Sequence, residues 1–163
     1  MVNSEGRFSS WSQWTKRNDH ERIARPGVYV IALTPKILTG QRFSWREEII
    51  YVGMTNAVAG LKGRLDQFDR TMAGKLAHGG ADRVRFKHRA YAAFSRRAYV
   101  AVAPFECDPA SQRPKDLRTM GDVASFEYAC LAHFVDRFDR LPEFNDKVRA
   151  PKFSLTVGRS RRR

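Results

Sequence analysis

A chain of 163 residues with 42% hydrophobic and 29% charged residues has the composition of one folded domain, not of a disordered or fibrous chain. Its 30 Lys and Arg against 17 Asp and Glu leave a net charge of +13, a surface that attracts polyanions, nucleic acid foremost. Cys107 and Cys130 stand far apart, and His20, His78, His88 and His133 lack metal-ligand spacing, so neither a disulfide framework nor a zinc site is expected.

In chain order, residues 1–22 read as a polar extension dotted with Phe8, Trp11 and Trp14. The spacing of the two tryptophans suits a short amphipathic helix laid on the domain. This stretch has no apolar core of a secretion signal, and no run approaches the ~20 apolar residues of a membrane helix. The expected location is cytoplasmic, with no membrane partner. The main domain spans residues 23–148. Pro26-Gly27 is a turn signal, Val28 to Leu33 a β-rich run closed by Pro35, and residues 35–47 a polar connection. Ile49 to Val52 forms a second run ending at Gly53, so the two runs predict an antiparallel pair with a long hairpin loop. From Asn56 to about Arg70, Leu61, Leu65 and Phe68 recur at i, i+4, i+7, a helical pattern that Thr55 or Asn56 can cap.

Residues 71–97 hold Gly74, Gly79 and Gly80, then a basic stretch with no clear period. Ala98 to Val102 reads as a third strand, stopped by Pro104, and residues 105–121 as a loop with Pro109 and Pro114. A long helix is expected from Asp122, as N-cap, to Phe138. The tail, residues 149–163, is basic without acidic residues and is expected to be mobile. The order β-β-α-β-α predicts a small α+β domain: a three-stranded antiparallel sheet flanked by helices.

Glu127 stands out on the last helix. Val123, Leu131, Phe134 and Phe138 form its apolar stripe, and Glu127 falls within it. A carboxylate there either bends out to water at the edge of the stripe or meets a cation, because burying it unpaired is costly.

Several short motifs bear on that choice. Gly27-Val28-Tyr29 is followed by Tyr51-Val52-Gly53, then by Thr55-Asn56 leading into Gly63-Arg64-Leu65, then Glu127, then Pro142-Glu143-Phe144-Asn145. This succession, across residues 26–146, resembles the GIY-YIG nuclease superfamily. That group includes homing endonucleases, some restriction enzymes and the incision subunit of bacterial nucleotide-excision repair. The chain departs from the pattern in places. Residues 35–47 look like an insertion, Met54 stands where the repair enzymes carry a lysine, and Phe68 where several relatives place Tyr or His. His78, in a region where several relatives have a histidine, is the candidate for the missing polar group.

The resemblance implies a metal-dependent endonuclease cutting DNA phosphodiesters, in repair, recombination or defence. The alternatives are a catalytically weak or inactive basic module of the same fold, and a basic RNA-associated protein. Glu127 would hold one Mg²⁺ or Mn²⁺. Arg64 would bind the crowded phosphate, Tyr29 would activate the attacking water, and Tyr51 would contact the phosphate. Asn145 would orient a phosphate oxygen, water or the metal shell. Arg83, Arg85, Lys87, Arg89, Arg96 and Arg97, interleaved with Phe86, Tyr91 and Phe94, read as a nucleic-acid path of phosphate clamps and stacking rings. Arg159 and Arg161 to Arg163 would add affinity. No base-reading motif is present, and DNA is preferred over RNA as the partner.

Overall fold

The computed structural model describes residues 5–75 and 78–153. Its frame is an antiparallel sheet of β1 (Ser12–Gln13), β2 (Gly27–Leu33), β3 (Ile49–Thr55) and β4 (Ala98–Pro104), in the order β1-β4-β2-β3. The inner strands β2 and β4 are buried on both faces. That is why Val28 to Ala32 and Ala98 to Ala103 are continuous apolar runs and not alternating ones. One face carries α1 (Gly60–Met72), α2 (Gly79–Lys87) and α3 (Tyr91–Arg97); the other carries α4 (Pro114–Phe138). The class is α+β as expected, but with four strands, not three.

The extra strand comes from the N-terminal extension. Residues 12–13 pair with Val100 and Tyr99, and Trp14 opens a one-turn 3-10 helix (Trp14–Lys16), so the two tryptophans do not share one amphipathic helix. Three residues apart means one face in a helix but opposite faces in extended chain. Trp11 accordingly enters the core on the α4 side and Trp14 the core on the α1 side, and neither is more than 1% exposed. The Trp14 indole N–H donates to Asp69 at 2.8 Å, and Asp69 also accepts from the Tyr91 hydroxyl at 2.7 Å. Trp14→Ala is therefore expected to cost about 3–5 kcal/mol in chemical denaturation, by cavity formation and loss of one of the hydrogen bonds to Asp69.

The connection between β2 and β3 is less polar inside than its sequence implied. Leu38, Phe43 and Trp45 are buried in the α4-side core, and Trp11 exchanges backbone hydrogen bonds with Gln41 and Gly40. Helix α1 starts at Gly60 and not Asn56, because the expected cap residues are spent in the preceding turn. Thr55 Oγ1 accepts from the Ala57 N–H, and Asn56 Nδ2 donates to the Met120 carbonyl. The irregular stretch resolves into α2 and α3. Helix α4 begins at Pro114, about two turns before Asp122, since proline at the first helical position loses nothing by lacking an N–H. Ala150 packs into the α1-side core, so the start of the basic tail belongs to the fold; Arg159 and Arg161 to Arg163 lie outside the described residues. Among the described residues, no helix is long and apolar enough to cross a membrane.

Candidate active site

Tyr29 stands in mid-β2 opposite Gly53 of β3, and Tyr51 stands opposite Ile31. Matched register puts both phenols on the α1 face, with ring centroids 6.0 Å apart. Two glycines make the room. A Cβ at Gly53 would fall 2.6 Å from the Tyr29 hydroxyl and 2.7 Å from the Tyr51 ring; one at Gly80, in the first turn of α2, would fall 2.6 Å from the Tyr51 hydroxyl. These two positions hold the phenols by close approach of bare backbone.

His78 is the N-cap of α2. Its Nδ1 accepts from the Gly80 and Ala81 N–H groups at 3.1 and 3.2 Å, and its Nε2 lies 2.8 Å from the Tyr29 hydroxyl oxygen. An Nδ1 that accepts carries no proton, so the neutral ring bears its hydrogen on Nε2 and donates it to Tyr29. The Tyr29 hydrogen is thereby turned away from His78 Nε2; the Tyr51 ring lies 6.0 Å from that of Tyr29 and 5.9 Å from that of His78. Burial, and secondarily the Arg64 charge, push the His78 pKa down to about 3. The ring is neutral throughout the physiological range. It lies against the ring of Phe68, 5.0 Å between centroids, and being neutral it acts on Tyr29 as a hydrogen-bond donor.

The two phenols differ in access. Tyr29 has no exposed surface, and burial first, then Tyr51, raise its pKa well above the ordinary value, with Arg64 opposing. Tyr51 is half-buried; burial raises it too, with Arg64 opposing. Of the two phenols, Tyr51 is the partly exposed one.

Arg64, half-buried on α1, is the common neighbour. Its charge acts on Tyr29, Tyr51, His78 and Glu127. One Nη bonds Gln67 Oε1 at 3.2 Å, while its buried Nε has no hydrogen-bond partner. Glu127 approaches from α4. Because β3 is the outer strand, no further strand separates the helices of the two faces on that side. The buried line of α4 is Val123, Phe126, Cys130 and Phe134; Glu127 flanks it, half-buried. Among the described residues it makes no ion pair and no hydrogen bond. Burial raises its pKa, with Arg64 and Lys147 opposing at longer range.

Asn145 has a different task from the expected one. Its Oδ1 accepts from the Val52 N–H at 2.8 Å and its Nδ2 donates to the Val52 carbonyl at 2.7 Å. The side chain thus closes the free edge of β3 beside Tyr51, and its amide is spent on backbone. Arg83, expected only on the nucleic-acid path, belongs nearer the centre. Its charge acts on Tyr51, its Nη1 donates to the Gly79 carbonyl at 3.2 Å, and its buried Nε has no hydrogen-bond partner. The sole sequence signal was its place one turn after Gly79-Gly80.

Of the other basic residues, Lys87, Arg89, Arg96 and Arg97 are exposed and Arg85 half-exposed. Lys87 pairs with Glu143 at 2.6 Å, an acidic neighbour brought from far along the chain. Of the interleaved rings, Phe94 is core and Tyr91 donates to Asp69, while Phe86 is half-exposed with the Arg89 guanidinium 5.9 Å from its centroid. Among the described residues no cluster of three or more His, Cys, Asp or Glu assembles a metal cage. Glu127 offers a single hard oxygen ligand, which suits Mg²⁺ or Mn²⁺ retaining most of its waters and does not suit zinc. No known family matches the chain, and neither does any curated protein or solved structure.

Proposed function

We propose that this protein is a GIY-YIG-type endonuclease that hydrolyses DNA phosphodiester bonds with one divalent metal ion. The observation that carries the reading is Glu127: a half-buried carboxylate without ion pair or hydrogen bond among the described residues, in the field of Arg64 and of two phenols. A fold keeps such a group when a cation completes it. The net charge of +13 supports a polyanionic substrate.

Glu127 would hold Mg²⁺ or Mn²⁺, which would withdraw charge from the scissile phosphate and from the leaving 3′-oxygen. Arg64 would bind the non-bridging oxygens with two parallel N–H donors, Arg83 adding a second guanidinium beside Tyr51. Tyr51, the partly exposed member of the pair, would orient the attacking water and, as the phenolate, take its proton. Tyr29, fixed by the His78 Nε2–H, would hold Tyr51 in place and donate to its oxygen.

The test is nicking of supercoiled plasmid by the purified protein with Mg²⁺ or Mn²⁺, abolished by chelation. Arg64→Ala is expected to lose about 10²–10³-fold in rate, the usual cost of removing one donor to a developing anion. Equal nicking by that variant would mean a contaminating nuclease. One observation favours a binding module without turnover: both phenols have raised pKa values. That reading predicts retained DNA binding with no metal-dependent cleavage at any pH.

A further inference from the structure

Where α2 ends and α3 begins, a cavity of about 190 Å³ opens beside the end of β2. Lys87, His88, Arg89 and Arg97 rim it, over an apolar floor that includes Leu33 and Phe94. Three permanent cations and an imidazole around so small a space form an anion seat, too small for a large ligand and large enough for a phosphate group. Among the described residues, Lys87 is paired with Glu143 and Arg89 Nε donates to the Phe86 carbonyl at 3.4 Å, leaving the Nη groups of Arg89 and the Arg97 guanidinium as donors toward the cavity.

We infer that this cavity is a second phosphate seat, which takes a backbone phosphate of the DNA strand whose scissile phosphate lies at Tyr51 and Arg64. The inference rests on the proposed nuclease reading and extends it to the course of the substrate. Helix α2 joins the two places. Gly80, against the Tyr51 phenol, and Lys87, at the cavity, stand at opposite ends of it, about 10 Å apart at 1.5 Å per residue. A strand laid along α2 therefore presents to the cavity another backbone phosphate close to the cut. Arg85, half-exposed on α2 between the two ends, carries further positive charge along the same course.

His88 reports occupancy. Burial holds its pKa below the ordinary value, Lys87 and Arg97 push it further down, and Glu143 opposes them. An anion in the seat favours the imidazolium and reverses that push, so its pKa rises on binding.

The experiment follows the His88 imidazole of the full chain by NMR across a pH series, its signal assigned with His88→Gln. One arm adds inorganic phosphate. The other adds a short DNA duplex to the Glu127→Gln protein, so cleavage does not intervene. An upward pKa shift of about half a unit to one unit is expected in both arms. It should be lost in Arg97→Gln and Arg89→Gln and kept in Arg118→Gln, an exposed arginine on α4. A shift with phosphate but not with DNA would overturn the strand contact and assign a small-anion site. No shift in either arm, or a shift indifferent to Arg89 and Arg97, would overturn the seat itself. Failure of the nuclease reading registers separately, as the absence of plasmid nicking.

Discussion

Replacing Glu127 by Gln is expected to lower cleavage by about 10³-fold or more while leaving the protein at least as stable as before. The loss follows from removing the carboxylate charge that the proposal assigns to the cation, whose charge stabilisation would be worth several kcal/mol in the transition state. The gain in stability follows from burial. The folded-state pKa of Glu127 is raised, so the native protein binds the proton more tightly than the unfolded chain does. Stability then falls as pH rises from the unfolded value through the folded one, and above both the ionised carboxylate is a net cost. Glutamine keeps the shape without the charge. Thermal denaturation of parent and variant at pH 8 and at pH 4 reads the effect: the variant's advantage should be larger at pH 8. Added Mg²⁺ should raise the parent's Tm and leave the variant's unchanged. A Glu127→Gln protein that cuts as fast as its parent would remove the metal ligand from the proposal, and with it the chemistry.

The strands that carry the phenols were legible because their sequence is overdetermined. Val28 to Leu33, Ile49 to Val52 and Ala98 to Val102 are apolar, β-branched and bounded by Pro or Gly, and both faces of the inner pair are covered. Tyr29 and Tyr51 could be placed on one site only through the motif order, since register across a long connection is not written in either strand. Strand β1 was not legible: two polar residues have no period, and the tryptophans flanking them fit a helix face as well as two sheet faces. The α4 stripe was misread in a way that matters. Counting by fours from Val123 lands on Glu127 and Leu131, but a helix turns every 3.6 residues, and the buried line runs through Phe126 and Cys130. Glu127 therefore flanks the core and does not lie within it. That is the position from which a carboxylate can be half-desolvated and still meet a cation. Asn145 and His78 were singled out in the sequence, but their backbone contacts were not legible there: the one closes a strand edge and the other caps a helix, and backbone partners leave no residue signature.

Tyr51→Phe and Tyr29→Phe are expected to fail differently, and the contrast decides which phenol faces the water. Tyr51→Phe should lose about 10²–10⁴-fold in cleavage rate, the range for a positioned acid–base group, with little change in stability. Tyr29→Phe should lose less in rate and more in stability. Its ring fills the same space, but the buried His78 Nε2–H is left with no acceptor, at a cost of about 1–3 kcal/mol. The pH profile separates the pair further. Burial raises the Tyr51 pKa, so the parent's rate should climb with pH past the ordinary phenol value of about 10 as the base form grows, limited by unfolding. Tyr51→Phe should flatten that limb; Tyr29→Phe should keep it, moved to higher pH because Tyr51 has lost its donor. Rates are read by plasmid nicking across pH and stabilities by chemical denaturation of the same preparations. If Tyr29→Phe is the variant that flattens the alkaline limb, the inner phenol is the base. The site must then open to admit water past Tyr51, and the Tyr29 oxygen, held by the His78 Nε2–H, would receive the proton of that water instead of donating to Tyr51.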